Sequence, residues 1–284
     1  MRTVYVNGSY LPESEARVSI FDRGFLFADA VYEVVAVLEG KLIDFSGHVK
    51  RLQRSLKELG MRMPVDADEL LAIHRRLVEE NGIEEGIVYL QITRGAADRD
   101  FLFPDEAVEP TIVLFTQKKA LIDSPVVENG ITVLSTEDLR WRRGDIKTVQ
   151  LLFASLAKSE AKKKGADDVW LVKDGQVTEG SSNNAYIVKD DGTIVTRQLS
   201  NDILAGITRQ AVLECARQLQ IKVEERPFTI EEAQTAKEAF STSASGFVTP
   251  VVKIDGAVIG TGKPGPVAAK LREIYLDVSR KTAI

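Results

Sequence analysis

The order of predicted strands and helices constrains the fold of this chain more than any other feature of its sequence. Apolar strand segments such as VWLV (169–172) and AYIV (185–188) are interleaved with helical segments, but without strict β–α–β alternation. Strict alternation is the mark of a parallel α/β sheet, so its absence favours mixed sheets. We therefore predict an α+β protein.

Two domains are expected because 284 residues exceed the usual length of a single domain. The apolar periodicity relaxes around the segment KKALIDSPVVENG, which separates the strand TIVLFTQK from the strand ITVLSTED. We predict a smaller N-terminal α/β domain over 1–118, a linker over 119–128 and a larger C-terminal domain over 129–284.

Local signals predict individual turns and helices near the residues that carry chemistry. Asn7-Gly8 is typical of a hairpin turn with positive φ, and two strands are predicted to be joined at Glu39-Gly40. Ser46 is expected to cap a helix that ends at Gly60. A second helix is predicted over 148–164, where the triplet KKK would interact favourably with the negative end of the helix dipole.

Composition excludes several classes of function. The formal net charge is −5 and no basic stripe is present, so a nucleic-acid partner is not expected. With one cysteine, Cys215, and only two histidines, neither an intrachain disulfide nor a zinc site of the usual kind is predicted. No signal peptide or membrane-length apolar run is present, so we expect a cytoplasmic protein with no membrane partner.

A lysine and a glutamate, 32 residues apart, are the strongest candidates for catalysis. Lys147 precedes the apolar run TVQLLFASLA, and a lysine in a partly dry pocket can act as a neutral amine that forms a Schiff base. Glu179 lies in TEGSSNN among small hydrogen-bonding residues. A carboxylate there could keep a pyridine nitrogen protonated and so let the ring accept electrons.

Other residues suggest a phosphate site. Ile207 and Thr208 open a helix after Gly206, where backbone N–H groups and a hydroxyl converge. Arg51 could form a forked contact to a phosphate, and STSAS at 241–245 is a second hydroxyl-rich turn.

Seven motifs in chain order resemble one known family, and together they cover essentially the whole chain. They are FDRGFLFADAVYEVV, HVKRL, QITRG, RWRRGDIKTVQLL, VTEGSSNNAY, SNDILAGITR and the TPV at 249–251. The chain resembles the fold-type IV pyridoxal-phosphate enzymes, which include D-amino-acid transaminases, branched-chain aminotransferases and aminodeoxychorismate lyases. Its D-amino-acid aminotransferase-like features are VYEVVAV, DRGFLF and DIKTVQLL.

The resemblance implies pyridoxal 5′-phosphate as the cofactor and a homodimer whose active sites are built from both subunits. Lys147 matches the Schiff-base lysine that moves the substrate proton, and Glu179 matches the partner of the pyridine nitrogen. At Ala244 the family often has threonine. The implied cofactor-binding residues are Arg51, Lys147, Glu179, Ser182, Asn183, Ile207, Thr208, Ser243 and Ala244.

The resemblance also implies a substrate-binding set, in which this chain departs from its closest subgroup. Tyr32 and Glu33 match positions that line the substrate pocket. An Arg-x-His pair on the loop after TRG binds the substrate carboxylate in D-amino-acid transaminases, but here Arg99 is followed by Phe101. Loss of the second donor should weaken the grip on a carboxylate, and Phe101 should favour an apolar substituent.

The expected activity is ping-pong transamination between a D-amino acid and a 2-oxo acid such as pyruvate or 2-oxoglutarate. Alternatives within the family are an (R)-selective amine transaminase, a branched-chain aminotransferase and an aminodeoxychorismate lyase. A non-catalytic binding protein on the same fold is an alternative of a different class, and the presence of Lys147 and Glu179 argues against it. No metal is expected.

Overall fold

The structure, a computed structural model, describes all residues from Met1 to Ile284. The chain folds into two compact units. Unit 1 comprises Met1–Ala120, Ile146–Gln150 and Arg280–Ile284, and unit 2 comprises Leu121–Asp145 and Leu151–Ser279. Lys147 therefore belongs to unit 1, although the chain before and after its five-residue stretch belongs to unit 2.

Unit 1 contains an antiparallel sheet of six strands in the order β2-β1-β6-β5-β3-β4. The strands are β1 (Thr3–Val6), β2 (Ser9–Pro12), β3 (Ala30–Leu38), β4 (Lys41–Leu42), β5 (Glu85–Thr93) and β6 (Thr111–Lys118). The two predicted hairpins are confirmed. Asn7-Gly8 connects β1 to β2 and Glu39-Gly40 connects β3 to β4, and all four residues have positive φ.

Three helices belong to unit 1: α1 (Arg23–Phe27), α2 (Phe45–Glu58) and α3 (Ala67–Glu80). Apolar side chains of α2 and α3 form one buried cluster with the sheet, and Ile146 joins it. The prediction that Ser46 caps α2 is wrong. Asp44 is the N-cap, in the left-handed conformation, and the buried side chain of Phe45 begins the helix.

Unit 2 contains a mixed sheet of nine strands in the order β12-β11-β10-β13-β14-β7-β8-β9, with β15 paired to β14. The strands are β7 (Ile131–Glu137), β8 (Asp168–Lys173), β9 (Gln176–Gly180), β10 (Asn184–Val188), β11 (Ile194–Thr196), β12 (Val223–Glu225), β13 (Glu238–Ser243), β14 (Phe247–Ile254) and β15 (Ala257–Val258). The pairs β11–β12, β14–β7 and β7–β8 are parallel and the others antiparallel, which confirms the predicted mixed sheet.

The remaining helices are α4 (Pro125–Asn129), α5 (Leu152–Lys163), α6 (Ile207–Gln218), α7 (Ile230–Gln234) and α8 (Pro266–Thr282). Two buried apolar clusters form around the sheet of unit 2, one against α7 and one against α5. None of the helices combines the length and the hydropathy that crossing a membrane requires.

Candidate active site

The backbone of Lys147 is attached to the first residues of strand β3. The N–H of Tyr32 donates to the carbonyl of Lys147 at 3.0 Å, and the N–H of Val149 donates to the carbonyl of Ala30 at 3.1 Å. Because these residues extend along β3, they cannot be helical. The prediction of a helix from 148 is therefore wrong at its start, and α5 begins only at Leu152.

The amine of Lys147 lies against an aromatic ring. Its Nζ atom is 4.1 Å from the centroid of the Tyr32 ring. Tyr32 is itself stacked on Tyr89, with ring centroids 5.6 Å apart, and Tyr32 is almost fully buried. The structure thus brings together Lys147 and Tyr32, which were predicted as catalytic and substrate-binding residues.

Arg51 is buried in α2 and forms an ion pair with Glu33 of β3. Its Nε donates to Oε1 of Glu33 at 2.8 Å and its Nη2 donates to Oε2 at 2.7 Å. Nδ1 of His48 lies 2.7 Å from the same Oε2. Burial alone would raise the pKa of Glu33, but Arg51 and His48 more than offset it and lower the pKa to about 2.

This pairing changes the interpretation of Glu33. The resemblance placed Glu33 at the lining of the substrate pocket. In the structure its carboxylate is only 1% exposed and both of its oxygens are bound to Arg51 and His48. Glu33 is therefore a partner of the expected phosphate-binding arginine.

In unit 2, Glu179 of β9 is buried with three hydrogen-bond donors around its carboxylate. Nη1 of Arg140 donates to Oε1 at 2.6 Å. Nδ2 of Asn184 and the backbone N–H of Leu204 donate to Oε2 at 2.9 and 3.1 Å. These donors compensate the carboxylate for its removal from water.

Arg140 does not serve Glu179 alone. Its Nε and Nη2 donate to the two oxygens of Asp138, at 2.9 and 2.8 Å, and Asp138 also accepts from Oγ1 of Thr178. Burial raises the pKa of Glu179, and the nearby charge of Asp138 adds to the increase. Arg140 and the Leu204 N–H act in the opposite direction without reversing it.

The loop that follows Glu179 is held by a buried acid. Asp168 accepts from the hydroxyl of Ser181 and from Nδ2 of Asn183. A side chain at Gly180 would displace the side chain of Asn183, because a Cβ there would lie 2.1 Å from Oδ1 of Asn183. That Oδ1 atom is buried and has no hydrogen-bond partner. Ser182 is exposed at the tip of the loop.

The expected phosphate-binding residues of unit 2 lie at a helix start and a turn. Ile207 begins α6, whose N-cap is Gly206 and therefore has no capping side chain, and Thr208 is buried in the first turn. Ser243 ends β13, and the partly buried Ala244 follows it in the turn to β14. Uncapped N–H groups at a helix start favour an anion.

The loop after β5 presents Arg99 and Phe101 on the surface of unit 1. The side chain of Phe101 is 78% exposed, and its ring packs edge-on against Phe27 with centroids 5.7 Å apart. The guanidinium of Arg99 lies near both rings and forms no ion pair. Arg99 therefore retains its capacity to bind an anion.

Comparison with known proteins identifies the family. Residues 30–254 match the family of class IV amino-transferases. The chain belongs to this family. The D-alanine aminotransferase of Staphylococcus aureus (strain MSSA476) is 41% identical over 275 residues, which cover 96% of each chain. The D-alanine aminotransferase of Listeria monocytogenes serotype 4b (strain F2365) is 38% identical over 276 residues, covering 96% of this chain and 95% of its own.

Solved structures agree with this assignment. The T.th. branched-chain amino acid aminotransferase with pyridoxamine 5′-phosphate superposes with a TM-score of 0.89 at 29% identity, covering 99% of this chain and 95% of its own. The Escherichia coli branched-chain amino acid aminotransferase gives the same TM-score at 22% identity, which supports the fold alone. This class IV aminotransferase therefore has the expected fold-type IV architecture, and enzymes of the family use pyridoxal 5′-phosphate.

The residues present suit that cofactor chemically. An acid held among donors suits a protonated ring nitrogen, and a buried arginine and an uncapped helix start suit a phosphate. The partnerless Oδ1 of Asn183 is a further group that a ligand could satisfy.

The sequence interpretation assigned no role to several residues that hydrogen-bond to predicted site residues or to their partners. Arg140 lies in the motif RWRRGDIK, but nothing in the sequence distinguishes it from the neighbouring arginines. Asp138 lies two residues earlier, a spacing that could have suggested a pair. The others are His48 and Asp168.

Proposed function

We propose that this aminotransferase moves an amino group between a D-amino acid and a 2-oxo acid, pyruvate or 2-oxoglutarate, in two half-reactions. The observation that carries the proposal is the 41% identity to a D-alanine aminotransferase across 96% of both chains. Identity at this level over the full length extends to both units, so it includes the elements around Lys147 and those around Glu179.

In this proposal nine residues would hold the cofactor. They are Arg51, Lys147, Glu179, Ser182, Asn183, Ile207, Thr208, Ser243 and Ala244. When bound, pyridoxal phosphate supplies a protonated ring that withdraws electrons from the substrate carbon that loses its proton.

The chain's own residues would contribute acid–base chemistry and orientation. The amine of Lys147 would bind the cofactor and later move the proton from the substrate Cα to the cofactor carbon C4′. The carboxylate of Glu179 would hold the proton on the ring nitrogen, and Arg140, which donates to Oε1, opposes the effect of burial on the pKa of this acid. Arg99 would bind the substrate carboxylate, and Tyr32 and Phe101 would contact the rest of the substrate.

A second candidate is transamination of branched-chain L-amino acids. The T.th. branched-chain aminotransferase covers 99% of this chain at a TM-score of 0.89, so the same fold accommodates that chemistry. Its 29% identity is lower than that of the D-alanine aminotransferases, which is why we place it second. An (R)-selective amine transaminase also remains within the proposal, because Phe101 replaces a carboxylate-binding histidine.

The test is a set of half-reactions with the cofactor-loaded enzyme. D-alanine, D-glutamate, L-leucine and (R)-1-phenylethylamine are mixed separately with the enzyme, and the absorbance of the bound cofactor near the edge of the visible range is followed. We expect the D-amino acids to change it fastest. If only L-leucine changes the absorbance, the D-amino-acid proposal is wrong.

Two lysine variants test the role of Lys147. Lys147→Ala should abolish turnover because it removes the only amine proposed to bind the cofactor and move the proton. Lys270→Ala is the matched control, since Lys270 is an exposed lysine of α8 paired with Glu273. Full transamination by Lys147→Ala would overturn the mechanism.

We also propose a cytoplasmic homodimer. Unit 1 exposes large apolar side chains in the segments 18–25 and 101–103, and unit 2 exposes Leu139, Leu152 and Leu156. Exposed apolar groups of this number are typical of protein contact surfaces, and a second copy is the commonest partner. Sedimentation velocity should give twice the mass of the 31.3 kDa chain, and a single-chain mass would contradict the dimer.

A further inference from the structure

Arginines and phenylalanines alternate in a row that includes Arg99 and ends at Phe101. In spatial order the row is Arg94, Phe103, Arg23, Phe27, Arg99 and Phe101, and we call it the arginine–phenylalanine ladder. The successive distances from guanidinium carbon to ring centroid are 3.8, 5.7, 4.5, 5.3 and 5.4 Å. All five lie within the range in which a cation is attracted to an aromatic face.

The inner end of the ladder is anchored by one acid. Asp29 accepts from Nε of Arg23 at 2.8 Å and from Nε and Nη2 of Arg94 at 2.7 and 3.1 Å. Nη2 of Arg94 also donates to the carbonyl of Leu59. These two arginines are therefore fixed on the body of unit 1.

Arg23 also fixes the shape of the loop that carries Arg99. Its Nη1 donates to the carbonyls of Asp100 at 2.8 Å and Leu102 at 3.3 Å. Arg23 is only 3% exposed, although the loop that it binds is largely exposed. A buried cation thus connects the body of unit 1 to a surface loop.

The outer end of the ladder differs in that its arginine has no acid partner. Arg99 is exposed and contacts only the rings of Phe27 and Phe101. These contacts restrict the position of the guanidinium. They use none of its hydrogen-bond donors. All of its N–H groups remain available for an anion.

We propose that the ladder positions Arg99 for the substrate carboxylate, with Arg23 and Phe27 as positioning residues and with Phe101 acting as the second ring on Arg99. The proposal rests on the proposed function, in which Arg99 binds that carboxylate. Preorganisation by aromatic contact takes the place of the second donor that a histidine would provide at residue 101.

The test measures the steady-state constants of the cofactor-loaded enzyme. Phe27→Leu removes the ring shared by Arg23 and Arg99. We expect it to raise KM for D-alanine about fivefold and to change kcat less than about twofold, because the lost contact acts in binding the carboxylate. D-alaninol, which has no carboxylate, should react at the same rate with the variant as with the unchanged enzyme.

A second variant and a control separate positioning from general destabilisation. Phe101→Leu changes a side chain that is 78% exposed in the single chain, and should raise KM about threefold. Because 101–103 belongs to the proposed dimer surface, the variant must keep the mass of the unchanged enzyme in sedimentation velocity. Tyr10→Leu removes a comparable arginine–ring contact elsewhere in unit 1, where Cζ of Arg76 lies 3.7 Å from the ring of Tyr10. It should leave KM unchanged.

Either of two results would overturn the proposal that the ladder positions Arg99. One is an unchanged KM in both phenylalanine variants, and the other is an equal loss of activity toward D-alaninol and D-alanine. If the unchanged enzyme prefers another carboxylate donor, such as L-leucine, the D-amino-acid proposal fails and the same KM ratios are measured with that donor. The ladder and the proposed function can therefore fail separately.

Discussion

Two buried glutamates in this enzyme, one in each unit, have opposite pKa shifts. Glu33 is 1% exposed and Glu179 is 4% exposed, and each has an arginine at hydrogen-bond distance. The pKa of Glu33 is lowered to about 2, whereas the pKa of Glu179 is raised. Burial acts in the same direction on both, so their partners must cause the difference.

The difference lies in how the arginine is shared. Arg51 binds Glu33 with two nitrogens and His48 adds a third contact. Arg140 donates to Glu179 through one nitrogen and to Asp138 through two. The charge of Asp138 also opposes ionisation of Glu179. Protein groups thus balance the negative charge of Glu33. They do not fully balance that of Glu179, where a protonated ring nitrogen would supply a further positive charge.

The largest expected effect is on catalysis by Glu179→Gln. The amide keeps the shape and its oxygen can still accept from Arg140. Its NH2 then faces the donors Asn184 and Leu204, and the charge that would hold the ring proton is lost. We expect kcat to fall about 10²- to 10³-fold, the usual cost of removing one preorganised electrostatic group. Steady-state kinetics at saturating cofactor measure this.

The same variant should not destabilise the cofactor-free protein at pH 7. A carboxyl whose pKa is raised on folding contributes stability at low pH and loses it as the pH rises through the folded pKa. Removing that charge should therefore cost little at neutral pH, apart from the mismatch between the amide NH2 and the donors Asn184 and Leu204. A large loss of unfolding free energy in Glu179→Gln would contradict the comparison.

Glu33→Gln should show the reverse pattern. It leaves Arg51 buried without its acid, and removing one partner of a buried pair costs about 3 to 5 kcal/mol. We expect the free energy of unfolding in urea to fall by about 3 kcal/mol. The kcat of the cofactor-saturated variant should change much less than in Glu179→Gln, and equal losses in kcat would remove the distinction between the two acids.

The local turns and the chemistry of the site were largely predictable from the sequence. Asn7-Gly8 specifies its turn by itself, because few residue pairs tolerate positive φ at both positions. Glu39-Gly40 was located by the apolar segments on either side of it. The class IV aminotransferase family followed from motifs spread along the whole chain. These signals are local in sequence, so no knowledge of packing is needed.

Features that depend on distant partners were not predictable. Thr148 has the sequence context of a helical residue, but its segment extends along β3 because Tyr32 and Ala30 hydrogen-bond to it. The pairing of Glu33 with Arg51 joins residues 18 positions apart on different elements. Arg140 could not be chosen from the other arginines of its motif, because only its contact with Glu179 sets it apart.

A smaller effect on stability is expected from His74, which is also a buried titratable group. Burial lowers its pKa from 6.5 to about 4, so the unfolded chain binds an additional proton between these values. The free energy of unfolding should fall because of His74 as the pH falls from 6.5 to about 4. It should fall further because of Glu33 as the pH falls from 4.5 to about 2. At about pH 5.5 the protonation of His74 in the unfolded chain should lower the free energy of unfolding by roughly 1 kcal/mol.

In His74→Leu the free energy of unfolding should change less with pH between about 6.5 and 4.5. The loss at lower pH, which is caused by Glu33, should remain. Urea unfolding measured at half-unit steps from about pH 7 to pH 3 separates the two windows. An unchanged slope between about pH 6.5 and 4.5 in the variant would show that another group causes the loss.

The smallest expected effect is that of Asp138→Asn. It removes a negative neighbour of Glu179 and weakens the competition for Arg140, so the pKa of Glu179 should fall. We expect the acid limb of the kcat–pH profile to move toward lower pH, by less than about one unit. A shift toward higher pH would mean that Asp138 supports the ionised acid through the orientation of Arg140.

The placement of Ile146–Gln150 in unit 1 bears on how this protein can be recombined with its relatives. The chain passes between the two units after Ala120, Asp145, Gln150 and Ser279. A single crossover near residue 120 would carry Lys147 over together with unit 2 but leave Tyr32 behind with unit 1. A hybrid that keeps each unit intact needs crossovers at all four of these positions. In such a hybrid the amine of Lys147 and the ring of Tyr32 come from the same parent.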